Sequence, residues 1–107
     1  MARFLSECVA FLCNVVIQTT PTNATISSQL LQGTSVGILV KRVVGKRLAL
    51  VGRVPFGMRK RGRNRIKWNL EVNGTRLSRG TYEVTLRALD AKGKVFDLSR
   101  PVRIVVR

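Results

Sequence analysis

The sequence of this 107-residue chain predicts an all-β fold, an antiparallel β-sandwich of about seven short strands. Three observations predict it. Apolar and polar residues alternate with a period of two from Gly33 onward, turn signals separate the alternating runs, and no helical period competes with them. A chain of this length forms one domain with a single core, and its 45% hydrophobic content excludes a disordered basic tail.

The first half of the predicted sandwich centres on a hairpin. Two apolar runs rich in β-branched residues, at 35–43 and 47–54, flank a Gly45-Lys46 turn. Residues 56–64 follow a proline and contain two glycines, so they are predicted to be a loop. Residues 25–31 could supply the strand before the hairpin.

The second half alternates more regularly. Residues 65–72 predict a half-buried strand with Trp68 inward, and Asn73-Gly74 then predicts a tight turn, because both residue types tolerate positive φ. Residues 80–90 predict a strand, and residues 91–94 predict the turn that follows it. Two more short strands are expected around Arg100-Pro101. The side chains predicted to face inward in these strands are Ile66, Trp68, Leu70, Tyr82, Val84, Leu86, Ala88, Val102, Ile104 and Val106.

Residues 1–24 form an apolar N-terminal segment ahead of the predicted domain, which covers residues 25–107. An apolar run from Phe4 to Ile17 and small residues at Thr22 and Ala24 resemble a signal peptide, whereas Glu7 inside the run argues against one. The alternatives are an unstructured extension or a segment packed on the domain. The run is too short to predict a transmembrane segment. We therefore expect an extracellular or cell-envelope protein if the segment is a signal, and a cytoplasmic one if it is not.

Positive charge is concentrated in the predicted domain. The net charge is +15, and residues 1–40 contribute only Arg3 and Glu7, which cancel. Such a chain attracts polyanions in general, whether nucleic acid, anionic lipid or acidic cell-wall polymer. The densest stretch, residues 59–68, holds six basic side chains in ten positions.

The sequence predicts no metal, no cofactor and no enzyme. Histidine is absent, and Cys8 and Cys13 have no second cysteine pair, which disfavours a structural zinc site. The two cysteines are interpreted as apolar fillers, with a local disulfide left open. The five acidic residues form no recognisable catalytic pair.

Residues 62–94, GRNRIKWNLEVNGTRLSRGTYEVTLRALDAKGK, resemble the Ig-like module at the C-terminus of flagellar hook-capping proteins and of other bacterial secreted and surface proteins. The resemblance implies an Ig-like sandwich in which Trp68 fills the space between the sheets and Tyr82 reaches a backbone group at a corner. The positions that carry it are Gly62, Asn64, Ile66, Trp68, Asn73, Gly74, Leu77, Gly80, Tyr82, Asp90 and Gly93.

One position departs from the family pattern. The family often has a glycine two residues after the tryptophan, where this chain has Leu70, and this departure predicts a longer paired strand and an altered turn. No part of residues 1–61 resembles a hook-capping domain, so the resemblance does not imply a flagellar role.

The basic stretch is interpreted as a solvated loop before a core strand. Arg59, Lys60, Arg61 and Arg63 are the candidate polyanion contacts, and Trp68 is assigned to the core rather than to base stacking. Two functions follow. The first is a non-catalytic Ig-like interaction module, at the cell surface or as a C-terminal accessory domain, whose partner is another protein or an anionic cell-envelope polymer. The alternative is a small basic nucleic-acid-binding protein, which the 6% aromatic content disfavours.

Overall fold

A computed structural model describes residues 12–107 of the chain, and side chains from Val15 onward. Its strands are β1 (Leu12–Thr19), β2 (Ala24–Leu30), β3 (Thr34–Val44), β4 (Arg47–Arg59), β5 (Gly62–Trp68), β6 (Glu71–Val72), β7 (Thr75–Arg76), β8 (Gly80–Leu89), β9 (Val95–Leu98) and β10 (Val102–Val106). The described part of the chain contains no helix long and apolar enough to cross a membrane.

Two antiparallel sheets form the sandwich. Sheet A has the order β1-β2-β5. Sheet B has the order β4-β3-β8, and both β9 and β10 pair with the other side of β8. The chain passes from sheet A to sheet B after β2, returns to sheet A after β4, and crosses again after the small β6–β7 hairpin. This alternation is typical of Ig-like sandwiches, so the predicted fold class is confirmed.

The core lies between the inner faces of the two sheets. Each fully buried Val, Leu or Ile side chain stabilises the fold by roughly 1.5–3 kcal/mol relative to an exposed one, before the loss of conformational entropy is subtracted. The predicted inward positions are buried, with Val102 only half-buried at the edge. The buried apolar residues are Ala24, Ile26, Leu30, Val36, Ile38, Val40, Ile66, Trp68, Leu70, Val72, Leu77, Tyr82, Val84, Leu86, Ala88, Ile104 and Val106.

Part of the predicted N-terminal segment lies in sheet A. β1 pairs with β2 in antiparallel register, with Ile17 opposite Ile26 and Thr19 opposite Ala24. The half-buried side chains of Val15 and Ile17 pack against the core. The sandwich therefore includes residues before position 25. Residues 1–11, which carry most of the signal-like run and Cys8, lie outside the described residues, as does the Cys13 side chain.

The loop predicted for residues 56–64 is wrong. β4 continues to Arg59 and β5 begins at Gly62, so only Lys60 and Arg61 link the two sheets. Pro55 lies within β4, opposite Gly37, next to a register shift in the β3–β4 pairing. β4 is the edge strand of sheet B, and edge strands and bulges are the places where a sheet tolerates proline.

The longer strand predicted from Leu70 is also wrong, because β5 ends at Trp68. Leu70 adopts a φ of 62°, in the left-handed region that favours glycine. Its carbonyl accepts a hydrogen bond from the Leu77 N–H at 2.9 Å, which closes the β6–β7 hairpin segment. The left-handed conformation costs a non-glycine residue about 1–2 kcal/mol. Burial of the Leu70 side chain, which is 1% exposed, offsets that cost.

Candidate polyanion-binding face

The outer face of sheet A presents a row of positive charge along β5. Residues of this strand alternate between the core and the solvent, and Arg63, Arg65 and Lys67 are the exposed ones. We call these three residues the basic stripe. Outward neighbours on a strand lie about 6.5–7 Å apart, so the stripe extends roughly 13 Å from Arg63 to Lys67.

Small polar side chains lie beside the stripe. In the antiparallel pairing of β2 with β5, Gln29 is opposite Arg63, Ser27 is opposite Arg65, and Thr25 is opposite Lys67. Directly paired residues share a face of the sheet, so each cation has an amide or hydroxyl group as its cross-strand neighbour.

None of the residues in β1, β2 or β5 is acidic. The strands of sheet A therefore supply only positive formal charge to this face.

An open pocket lies on this face between the two strands. It is lined by residues 27–29 of β2 and residues 63–65 of β5. Arg63 and Arg65 therefore border a concavity that also contains hydroxyl and amide groups. A guanidinium group binds a carboxylate or a phosphate through two parallel hydrogen bonds, so the arrangement suits an oxyanion.

Side-chain hydrogen bonds hold both ends of β5. At its start, the Asn64 amide donates to the carbonyls of Lys60 at 2.7 Å and Gly62 at 3.3 Å. At its end, the Trp68 indole N–H donates to the Glu71 carbonyl at 3.0 Å. These contacts fix the turn before the stripe and the turn after it, so the spacing of the three cations is set by the folded strand.

The four predicted polyanion contacts have different positions. Lys60 and Arg61 are exposed in the link between the sheets, and Arg63 belongs to the basic stripe. Arg59 is half-buried at the end of β4, where one guanidinium nitrogen donates to the Phe56 carbonyl at 3.3 Å. Its Nε is buried without a hydrogen-bond partner.

Sequence reasoning missed Arg65 and Lys67 as surface contacts. They lie in the stretch predicted as a half-buried strand, and only cations of the predicted loop were selected as polyanion contacts. The alternation that places Ile66 and Trp68 inside also places Arg65 and Lys67 outside.

The tyrosine of the family pattern forms a corner with the segment before β8. The Tyr82 hydroxyl donates to the Ser78 carbonyl at 2.6 Å. Arg42, which no sequence pattern had singled out, lies opposite Tyr82 in the β3–β8 pairing. Its guanidinium donates to the Tyr82 hydroxyl at 2.9 Å, to Ser78 Oγ at 2.6 Å and to the Arg79 carbonyl at 2.9 Å.

The remaining pattern residues lie at turns or in the core. Gly62 and Gly80 begin β5 and β8. Asn73 and Gly74, at φ of 55° and 80°, form the β6–β7 turn. Gly93 donates its N–H to the Asp90 carbonyl at 2.9 Å in the turn before β9, and Leu77 is buried.

Among the side chains that the structure describes, no group of three Cys, Asp or Glu lies together in a way that could hold a metal ion. The one aromatic residue in the strands of sheet A is Trp68, and it is only 2% exposed. Comparison of the chain with protein-family models and with curated proteins found no match.

Proposed function

We propose that this protein is a non-catalytic Ig-like interaction module that binds an anionic partner through the outer face of sheet A. The observation that carries the proposal is the basic stripe, three exposed cations in a row on strands that contain no acidic residue. Neighbouring unit charges about 7 Å apart repel each other by roughly 0.6 kcal/mol in water. An anionic ligand would relieve that repulsion, so electrostatic energy favours the binding of an anion to this face.

The family resemblance supports a position at the cell surface, or as an accessory domain of a bacterial secreted protein. Two structural details favour it. Leu70 has a glycine-like φ at the position where the family often has glycine, and Tyr82 makes a corner hydrogen bond to Ser78. The partner in such a setting would be another protein or an anionic polymer of the cell envelope.

Nucleic acid is the competing partner, favoured by the net charge of +15. Proteins that bind single strands combine a basic groove with exposed aromatic side chains on which bases stack. The strands of sheet A expose no aromatic side chain among the described residues, because Trp68 is buried. The face therefore suits a polyanion recognised through its charge and its hydrogen-bonding groups rather than through bases.

A charge-matched pair of variants tests the proposal. The stripe variant is Arg63→Gln/Arg65→Gln/Lys67→Gln. The control variant, Lys92→Gln/Lys94→Gln/Arg100→Gln, removes the same charge from exposed residues on or beside the turns that flank β9. Binding to polyglutamate would be titrated for both variants and for the wild type at about 50 and 150 mM salt.

We expect the stripe variant to bind about tenfold more weakly, or about 1.4 kcal/mol, and the control variant to lose threefold or less. The loss should shrink at the higher salt concentration, because screening weakens interactions between exposed charges. Equal losses in the two variants would mean that the net charge of the protein governs binding, and the proposed face would be wrong.

A further inference from the structure

We infer that the anionic partner of the basic stripe is an acidic polysaccharide that lies along β5. This inference rests on the proposed function and names the chemical class of the ligand. It follows from the neutral hydrogen-bonding groups that lie beside the cations on this face.

Each cation of the stripe is paired with a neutral hydrogen-bonding group. Ser27 and Thr25 place hydroxyl groups on β2 opposite Arg65 and Lys67, and Gln29 places an amide opposite Arg63. Acidic sugars carry an anionic group and several hydroxyl groups on each unit, so they would use both kinds of protein group at once. Polyglutamate and single-stranded DNA carry no comparable set of hydroxyl groups on each unit.

The open pocket fits the same class of ligand. Arg63 and Arg65 border it from β5, and residues 27–29 border it from β2. The planar carboxylate of a uronic acid matches the fork of a guanidinium group, and its ring hydroxyls would face the Ser27 side of the pocket.

Protein and nucleic-acid partners fit this face less well. Stable protein interfaces are usually anchored by large buried aromatic side chains, and single-stranded nucleic acids by base stacking. Among the described residues on the strands of sheet A, one large apolar side chain is exposed. It is Val16, with 52% of its surface accessible. A polar and cationic surface of this kind makes its contacts through charge and hydrogen bonds.

Three anionic polymers, each with one negative charge per repeat unit, separate the possibilities. They are polygalacturonate, which carries carboxylates and sugar hydroxyls, polyglutamate, which carries carboxylates without sugar hydroxyls, and a single-stranded oligonucleotide. The proteins are the wild type, the stripe variant, its charge-matched control, and a hydroxyl variant, Thr25→Val/Ser27→Ala. The hydroxyl variant keeps every charge, and its valine at position 25 is a good strand former. Ser27→Ala alone serves if the double variant fails to fold.

We expect the wild type to bind polygalacturonate at least about fivefold more tightly than polyglutamate or the oligonucleotide. The hydroxyl variant should lose that preference while its affinity for polyglutamate stays unchanged. Equal binding of the two carboxylate polymers, unaffected by the hydroxyl variant, would overturn the polysaccharide inference and leave the proposed function standing. Tighter stripe-dependent binding of the oligonucleotide would overturn it in favour of nucleic acid. Equal effects of the stripe and control variants would instead reject the proposed function itself.

Discussion

Arg42 and Tyr82 face each other across β3 and β8, and the Arg42 guanidinium donates a hydrogen bond to the Tyr82 hydroxyl at 2.9 Å. The same hydroxyl donates to the Ser78 carbonyl at 2.6 Å, and the guanidinium carbon lies 5.4 Å from the centre of the Tyr82 ring. One hydroxyl group thus connects the start of β8, the segment before it and the neighbouring strand. This corner fixes how the chain enters sheet B after its last passage from sheet A.

Tyr82→Phe should lower the free energy of unfolding by about 1–3 kcal/mol, because it leaves the Ser78 carbonyl and one Arg42 N–H without their partner while keeping the buried ring. Denaturant unfolding followed by Trp68 fluorescence measures the loss. Arg42→Ala and the double variant complete a mutant cycle, for which we expect a coupling energy of about 0.5–3 kcal/mol. Additive effects would show that the guanidinium and the hydroxyl act independently.

Trp68→Ala should cost about 3–5 kcal/mol, enough to unfold a domain of this size or nearly so. The indole fills the space between the sheets, and its N–H satisfies the Glu71 carbonyl. A thermal melt followed by circular dichroism provides the measurement, with Lys67→Gln as an exposed control on the same strand. A melting curve like that of the wild type would show that Trp68 is not a core residue.

At Leu70 we expect a glycine substitution to be less destabilising than an alanine substitution, the reverse of the usual order. Both Leu70→Ala and Leu70→Gly remove the buried side chain, which costs about 2–5 kcal/mol. Glycine removes the strain of the positive φ as well, whereas alanine keeps it. We therefore expect Leu70→Gly to be more stable than Leu70→Ala by about 1 kcal/mol in denaturant unfolding, although glycine is normally the poorer residue in β-structure. If alanine proves the more stable, the backbone at Leu70 is not left-handed in solution.

The inward faces of the strands could be predicted because successive side chains of a strand point to opposite faces, and the apolar face is the one that packs on the core. β8 is an example, since every second residue from Tyr82 to Ala88 is both apolar and buried. The tight turns at Gly45 and at Asn73-Gly74 could be predicted because few residue types tolerate their positive φ. Both kinds of signal are local in the sequence.

The errors arose where tertiary position decides the outcome. Pro55 and its flanking glycines are typical of a loop, but on an edge strand they extend β4. Arg63 was predicted to lie in that loop, whereas it belongs to β5, so the row that it forms with Arg65 and Lys67 emerged only from the extent of β5 and its pairing with β2. The positive φ of Leu70 depends on the burial of its side chain, which local pattern does not reveal.

For β1, the sequence left open whether it is part of a signal peptide or of a segment packed on the domain, for a different reason. Its sequence is apolar with few alternating polar residues, and the hydrophobic core of a signal peptide has the same composition. The distinction has a structural consequence. A leader cleaved after Ala24 would remove β1 and leave β2 as the edge of sheet A, with its backbone groups unpaired on that side.

A chain that begins at Thr25 should therefore be less stable than the full chain. It loses the strand pairing between β1 and β2 and the packing of Val15 and Ile17 against the core, which together should cost about 2 kcal/mol or more. The exposed β2 edge should also promote association between chains. A chain that begins at Leu12 is the matched control, because it keeps β1. Thermal melts and light scattering of the two chains measure both effects.

If the Thr25 chain melts like the control and stays monomeric, β1 is dispensable and cleavage after Ala24 is compatible with a folded, exported module. The expected loss would instead mean that β1 belongs to the folded domain.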